Sequence, residues 1–234
     1  RCTTDDPIKE WNDHNADLEA RCKFLNGLKI KTLEYKSSNG TDFRVGLMPN
    51  GMFLGGGETS LKGVYYNPNI PSEEVFTTPM RGEAEGIVYS SKPLSYSGEL
   101  IENFSIRFEK GKAVEVKAEK NKELLKQLIS LDDGSAYLGE CALVPYDSPI
   151  RNSEILFFNT LFDENAACHL ALGRGFTNCV KDYEKHSKEE LHAMGVNDSM
   201  QHEDFMIGTK DLSIVATTED GRKVQIFKDG NWAF

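Results

Sequence analysis

The chain has 234 residues, of which 39% are apolar and 10% aromatic, an ordinary composition for a globular core. Its formal net charge of −10 argues against nucleic acid or an anionic membrane as the main partner, because both attract basic surfaces. No apolar run approaches the roughly 20 residues that cross a bilayer, and the five widely spaced cysteines exclude a disulfide framework or a zinc knuckle.

The first predicted element is a helix over residues 7–26, with Asp6 as its cap and Pro7 in the first helical position. Gly27 is expected to end it. Residues 28–35 alternate apolar and polar, which predicts a strand. A turn, a second strand and a glycine-rich loop are expected to follow over residues 39–60.

The middle of the chain, residues 86–121, predicts a β meander with a hairpin at Lys110-Gly111. A short amphipathic helix over 121–131 and a strand over 135–146 are expected next. Residues 153–176 are apolar through their centre, and their Ala-Leu-rich second half predicts a buried helix.

A solvated helix is predicted over residues 182–195, and strands with a hairpin at Asp220-Gly221 close the chain. Strands with a few inserted helices predict an α+β fold with mixed, mainly antiparallel sheets. With no repeat and no Ser/Pro-rich linker, we expect one domain over residues 1–234.

Candidate functional residues begin with His202 and Asp204 in "MQHEDFMIG". Side chains two apart on a strand point to the same face. This pair is either part of a metal site or a chance polar pair at a strand edge.

Four further acidic residues and one histidine lie beside or within apolar segments of the sequence, which is unusual for charged side chains. Glu73-Glu74 is either a solvated strand end or a source of ligands. Glu140, between apolar segments, must reach the surface or meet a cation, because a buried unpaired carboxylate is costly. His169 is either a satisfied core histidine or a ligand, and Glu164 is either an exposed acid near a helix start or a neighbour of the same site.

Carboxylates and imidazoles together are the ligands that zinc, cobalt or manganese accept. This set is too large for one four-coordinate ion and suits two ions bridged by a carboxylate, which predicts hydrolysis. Two groups of residues are left out of the site. His14, His186 and His192 lie in helices expected to be exposed, while Cys141 and Cys168 are expected to be packing residues.

Four segments, "PNIPSEEVFTTP", "GECALVPYDSPI", "LFFNTLFDENAACHLALG" and "HEDFMIG", resemble the thermophilic-type metalloaminopeptidases, the family of aminopeptidases T and S. The resemblance covers nearly the whole chain from about residue 8 and implies a two-metal exopeptidase acting on peptides with a free N-terminus. The implied metal ligands are Glu74, Glu140, His169, His202 and Asp204, with Glu140 as the bridge and Glu164 as a further acidic position.

The resemblance leaves the proton-transfer group open between Glu73 and Glu164. It also reveals a departure, since the family often has a tyrosine where this chain has Phe176. Only the family's C-terminal half is matched, and its N-terminal domain is absent. Since the chain begins at Arg1 rather than Met, we expect a piece of a longer protein or a processed chain.

Several expectations about the biology follow. The resemblance implies a homodimer. The cysteines and the lack of a leader sequence predict a cytoplasmic protein with reduced thiols. Two rival functions stay open: another two-metal amidase or dipeptidase, and a non-catalytic or impaired metal-binding and dimerisation domain.

Overall fold

The computed structural model describes residues 1–234. The α-helices are α1 (Pro7–Leu28), α2 (Lys122–Leu128), α3 (Pro149–Asn152), α4 (Thr160–Asp163) and α5 (Lys188–Met194). The strands are β1 (Ile30–Lys36), β2 (Asp42–Leu47), β3 (Glu58–Thr59), β4 (Tyr65–Tyr66), β5 (Val75–Thr77), β6 (Pro79–Tyr89), β7 (Leu94–Tyr96), β8 (Glu99–Glu109), β9 (Lys112–Lys120), β10 (Leu138–Leu143), β11 (His169–Gly173), β12 (His202–Met206), β13 (Ser213–Thr218), β14 (Lys223–Lys228) and β15 (Asn231–Trp232). Short 3₁₀ helices cover Glu164–Ala166, Thr177–Cys179 and Tyr183–Lys185.

The strands form three sheets, and every pairing between them is antiparallel. The largest has the order β15-β14-β13-β1-β2-β6-β8-β7, with β9 also paired to β8. A four-stranded sheet has the order β12-β11-β10-β5, and β3 and β4 form a separate ribbon. The predicted α+β class with mainly antiparallel sheets is confirmed.

One hydrophobic cluster of 35 buried residues contains side chains from both larger sheets and from helix α1. Leu33 and Phe43 represent the large sheet, and Leu170 and Phe205 the four-stranded sheet. Burying a Leu or Phe completely contributes about 1.5–3 kcal/mol, so this shared core is the main force that fixes the two sheets against each other.

Helix α1 begins as predicted but ends later. The Asp6 side chain accepts a hydrogen bond from Lys9 N at 3.1 Å. The helix then runs through Gly27 to Leu28, and the left-handed residue is Lys29, with φ +51°. Leu28 packs against the core, which compensates for the roughly 1 kcal/mol that a glycine costs inside a helix. No helix in the chain is long and apolar enough to cross a membrane.

The prediction of a buried helix in the second half of residues 153–176 is wrong. Residues 169–173 form the internal strand β11, which follows the four-residue helix α4 and a short 3₁₀ turn. Every residue of β11 is buried, so the segment lacks the alternation that marks a half-exposed strand. A short continuous apolar run fits a buried strand and a buried helix equally well, and the pairing with β10 and β12 decides between them.

The solvated helix predicted over residues 182–195 is shorter than expected. Ser187 caps α5 through a capping box with Glu190, and Gly195 ends the helix in a left-handed conformation. The residues before Ser187 form a separate 3₁₀ turn, because the cap starts a new helix there. The Lys110-Gly111 hairpin is present between β8 and β9, with positive φ at both residues.

Candidate metal centre

One face of the four-stranded sheet carries the polar residues that the sequence singles out. Glu140 on β10 lies opposite Ala171 on β11, and Ala171 lies opposite Asp204 on β12. His169 and His202 are each two residues from a member of this row, so they share its face. The face therefore carries the carboxylates of Glu140 and Asp204 on either side of Ala171. The two imidazoles lie on the same face, displaced from these carboxylates in opposite directions along the strands.

Glu74 reaches the same face from the edge strand. It lies immediately before β5 and two residues before Phe76, which is paired with Ala142. Alternation along both strands places Glu74 on the face of Glu140.

The centre of this face is built from residues with little or no side chain. Ala171 separates Glu140 from Asp204, and Gly173 lies opposite His202. Gly173 has φ +103°, and a Cβ there would lie 2.3 Å from Gln201 O, so no other residue fits. The small residues leave room for the functional groups above the sheet.

The opposite face of the sheet is apolar and packs into the main core. It carries Cys141, Leu143, Leu170, Leu172 and Phe205. The Cys168 thiol donates to Val144 O at 3.2 Å. Cys141 lies on the core face of β10 and Cys168 directly precedes β11, and both belong to the core cluster, so they are packing residues.

Six side chains converge in three overlapping triads, and within each triad the donor atoms lie within 4.8 Å of one another. The triads are Glu74/Glu140/His169, Glu140/His202/Asp204 and Glu164/His169/Asp204. The first two share Glu140 alone. Glu140 therefore lies where these two triads meet.

Backbone carbonyls orient both imidazoles. His169 Nδ1 lies 3.0 Å from Ala167 O, and His202 Nδ1 lies 2.7 Å from Arg174 O. A carbonyl only accepts, so each Nδ1 carries the proton. In the neutral imidazole this leaves the Nε2 lone pair facing the other donors, the usual arrangement of a metal-binding histidine.

Two buried atoms of this cluster lack a hydrogen-bond partner, namely His169 Nε2 and Asp204 Oδ1. His169 is 1% exposed and Asp204 7% exposed. Leaving such atoms unpaired costs about 1–3 kcal/mol each, so native proteins rarely do so without a ligand. The chemistry of the donor set, four carboxylates and two imidazoles, fits divalent cations.

The cluster holds protons when no cation is bound. Burial raises the pKa of Glu140 to about 8, against the hydrogen bond from His202, and the charges of Asp204 and Glu74 add to the rise. Burial likewise raises the pKa of Glu164 to about 9. At neutral pH these two carboxyls are largely protonated, which relieves the repulsion among four acids.

Burial shifts the pKa of a histidine in the opposite direction to that of a carboxyl group. Burial lowers the pKa of His202, but its contacts with Asp204 and Glu140 outweigh this and raise the pKa to about 11. In the same way Glu74 outweighs burial and raises the pKa of His169 well above its usual value. Burial raises the pKa of Asp204, but the neighbouring His202 imidazole, 3.5 Å away, outweighs burial and lowers that pKa.

Glu164 and its neighbour Asn165 lie in the 3₁₀ turn before β11. Sequence reasoning missed Asn165, which is 1% exposed. Its Oδ1 accepts from Glu73 N at 2.6 Å, and its Nδ2 donates to Leu161 O at 2.8 Å. This amide ties the segment carrying Glu74 to the segment carrying Glu164. A lone Asn among small apolar residues was the only signal in the sequence.

Glu73 lies outside the cleft. Its carboxylate pairs with the Arg1 guanidinium at 2.5 Å and lies 3.6 Å from His14 Nε2. Alternation on the strand sends it to the side opposite Glu74. His14 was expected to be exposed, but it is buried, with Nε2 2.7 Å from Ser72 O. The two residues form a separate polar cluster beneath α1.

Phe176 lines the cleft directly beside the cluster. Its ring centroid lies 4.9 Å from that of His202 and 5.2 Å from that of Phe76. The ring closes one side of the site with an apolar surface and offers no hydroxyl. Of the histidines left out of the site, His186 and His192 lie outside this cleft.

The cleft above the cluster has a volume of about 400 Å³. Its acidic lining residues are Glu58, Glu74, Glu140, Glu164 and Asp204, and no lysine or arginine lines it. The acidic side chains that stay ionised, together with the absence of lysine and arginine, favour cations and ammonium groups over anions in this cleft.

Comparison with known proteins bears on this site. The family model described as thermophilic metalloprotease (M29) matches residues 1–232. Aminopeptidase AmpS of Bacillus subtilis (strain 168) is 46% identical over 234 residues, which is 100% of this chain and 57% of that protein. Aminopeptidase 2 of Geobacillus stearothermophilus is 47% identical over the same 234 residues, 56% of its own length.

A solved structure is also similar, that of wild-type AmpT from Thermus thermophilus. It superposes with a TM-score of 0.89 at 40% sequence identity, over 97% of this chain and 56% of that one. The chain thus spans little more than half the length of the relatives it matches.

Proposed function

The chain belongs to the thermophilic metalloprotease (M29) family, as its four segments predict, and on this premise we propose that it is a metal-dependent aminopeptidase. The observation that carries the proposal is the convergence of three overlapping donor triads at the floor of an acidic cleft. The relatives' names support the reaction class, since they are aminopeptidases.

In this proposal Glu74, Glu140 and His169 hold one divalent cation, and Glu140, His202 and Asp204 hold a second. Zinc, cobalt and manganese all suit this donor set. Bound there, the cations would supply Lewis-acid activation of water and polarisation of the scissile carbonyl. Glu140, which belongs to both triads, would supply a ligand to both cations.

The acidic cleft accounts for a preference for free N-termini. An α-ammonium group entering it meets the carboxyl groups of five acidic residues and, among basic residues, only His202. A blocked N-terminus loses this attraction. The apolar wall formed by Phe76 and Phe176 excludes water on one side, which strengthens every charge interaction inside.

Proton transfer to the leaving amine is assigned to Glu164. Its carboxyl lines the cleft and lies within 4.8 Å of His169 and Asp204 donor atoms, while Glu73 is engaged with Arg1 on the other side of the strand. The proposal therefore assigns no proton transfer to Glu73. Phe176 has no hydroxyl, so its ring would supply an apolar wall and no hydrogen bond to the developing oxyanion.

The remaining expectations stay predictions. The shared core of 35 residues supports a single domain over residues 1–234. Five free cysteines, four of them buried, are compatible with a reducing compartment. A homodimer, a cytoplasmic location and the choice of metal await measurement.

The test compares an aminoacyl p-nitroanilide with its N-acetylated form on the cobalt-loaded chain. We expect cleavage of the free amine only, and its loss on chelation. His202→Ala, Glu140→Ala and Asp204→Ala should lose both metal and activity, while His186→Ala, which removes an exposed histidine outside the cleft, should keep both.

Three other outcomes of these assays would lead to different conclusions. Full metal content and full activity in the three cluster variants would overturn the assignment. Cleavage of the acetylated substrate at the same rate would indicate a different two-metal hydrolase. Metal binding with no turnover on any peptide would indicate a binding or assembly domain.

A further inference from the structure

A second cavity adjoins the acidic cleft and has the opposite charge. It has a volume of about 520 Å³ and shares Phe176, Asn178 and His202 with the cleft. Its basic lining residues are Arg174, Lys188 and His192. We call this cavity the basic pocket. A positive cavity is notable on a chain with a net charge of −10.

Arg174 is the residue whose backbone carbonyl orients His202 in the candidate metal centre. It directly follows Gly173 at the end of β11, and its carbonyl oxygen accepts the hydrogen bond from His202 Nδ1 at 2.7 Å. The side chain is exposed and makes no ion pair or stacking contact. Its guanidinium is thus free to bind a ligand beside His202.

Lys188 and His192 approach the pocket from helix α5. They are four residues apart, so they lie on the same face of the helix. His192 Nε2 is 3.7 Å from Asp198 Oδ1, while Lys188 makes no ion pair. Asp198 is the only carboxylate that lines the pocket, so two of its cationic groups are left unpaired.

A peptide has the matching distribution of charge. Its α-ammonium fits the acidic cleft, and a carboxylate elsewhere on the same molecule fits the adjoining basic pocket. Arginine binds carboxylates through two parallel hydrogen bonds, and lysine adds a point charge. The two cavities share a wall, so a short peptide can occupy both, since each extended residue spans about 3.3–3.6 Å.

We propose that the basic pocket is a subsite for a carboxylate of the peptide substrate, an inference that rests on the proposed function. Arg174 and Lys188 bind the carboxylate, and His192 with Asp198 forms the far wall. The carboxylate has two sources, the C-terminus of a short peptide or an acidic side chain. In either case the pocket makes the enzyme prefer acidic over neutral substrates.

The experiment uses two matched substrate pairs. Leu-Gly-Gly is compared with its C-terminal amide, and Leu-Glu-Gly amide with Leu-Gln-Gly amide. On the wild-type chain we expect kcat/KM to favour the acidic member of one pair by about three- to tenfold, mainly through KM and less so at high salt. The pair that shows the preference identifies the source of the carboxylate.

The double variant Arg174→Gln/Lys188→Gln should bring this ratio close to one. Lys228→Gln, an exposed lysine on β14, is the matched control and should keep the wild-type ratio. A wild-type enzyme that treats both pairs alike, or a double variant that keeps the preference, would overturn the subsite.

A binding measurement separates this proposal from the proposed function. Isothermal titration of the chelator-treated chain, which is expected not to turn over the peptides, reports their affinity, and hydrolysis is assayed separately on the cobalt-loaded chain. If no peptide is hydrolysed but the acidic peptides bind more tightly and lose this advantage in the double variant, the subsite stands and the proposed reaction fails. Equal affinity within both pairs rejects the subsite even if hydrolysis is fast.

Discussion

His169 Nε2 lies 3.0 Å from Glu74 Oε2, yet the two atoms form no hydrogen bond. Both point towards the same space in front of the sheet, and His169 Nδ1 is already committed to Ala167 O. Two ligand atoms of one cation would be arranged in this way, close together with no hydrogen bond between them. This arrangement also explains why a histidine with almost no exposure has an unpaired ring nitrogen.

Metal binding should release protons and strengthen as the pH rises. Glu140 and Glu164, with pKa values of about 8 and 9, and His202, at about 11, hold protons at neutral pH that a cation must displace. Because each of these pKa values is raised, competition from protons is strongest below about pH 8 and weakens above it. Isothermal titration with zinc in two buffers of different ionisation enthalpy measures the protons released.

A zinc affinity that is constant between pH 6 and pH 9, with no proton release, would show that the cluster does not bind the ion. The variant Glu140→Gln provides a control, because it removes one displaceable proton and one ligand together.

Asn165 should be a positioning residue for the metal centre. Asn165→Ala leaves Glu73 N and Leu161 O without their buried partner, which should destabilise the chain by about 2–4 kcal/mol. We also expect metal affinity to fall by about 10- to 100-fold, as for other residues that support ligands. Chemical denaturation and metal titration measure the two effects.

The matched control is Asn152→Ala, which removes an exposed asparagine whose Nδ2 donates to Asp147 Oδ1. It should change stability by less than about 0.5 kcal/mol. If Asn165→Ala lowers stability but leaves metal affinity intact, the residue supports only the fold.

Asp132 should stabilise the segment that leads into β12 in a pH-dependent way. Burial opposes its ionisation, but hydrogen bonds from Met200 N, Ser135, Ser199 and Gly134 N outweigh this and lower its pKa to about 2. The lowered pKa means that the stabilisation is complete above the unfolded value near 3.8 and is lost as the pH falls towards 2. Allowing for solvent screening, we expect Asp132→Asn to cost about 1 kcal/mol at pH 6.5.

Urea denaturation at pH 6.5 and at pH 2.5 measures this difference. The cost of Asp132→Asn should shrink at the lower pH, whereas Asp133→Asn, at the exposed neighbouring position, should have little effect at either. A cost that does not change with pH would mean that the charge of Asp132 is unimportant.

Local chemistry allowed much of the fold to be predicted. Alternation placed His202 and Asp204 on one face of a strand, and Asp6 with Pro7 marked the start of α1. The β11 strand was missed, because its alanine and leucine residues favour a helix and only its two neighbouring strands override that preference.

Less of the candidate site than of the fold could be predicted from the sequence. Which glutamate of Glu73-Glu74 faces the cleft depends on the register of β5 against β10, and local sequence does not encode this long-range pairing. The resemblance selected Glu74, and the geometry has the same preference. The role of Asn165 and the basic pocket depend on contacts between distant segments, so no local sequence pattern predicted them.

The two-cation assignment is tested most directly by an anomalous-difference map from crystals of this chain loaded with cobalt. The account predicts two peaks about 3.5–4 Å apart, one beside Glu74 and His169 and the other beside His202 and Asp204, with the Glu140 carboxylate between them. A single peak, or strong peaks elsewhere with none at this cluster, would contradict it.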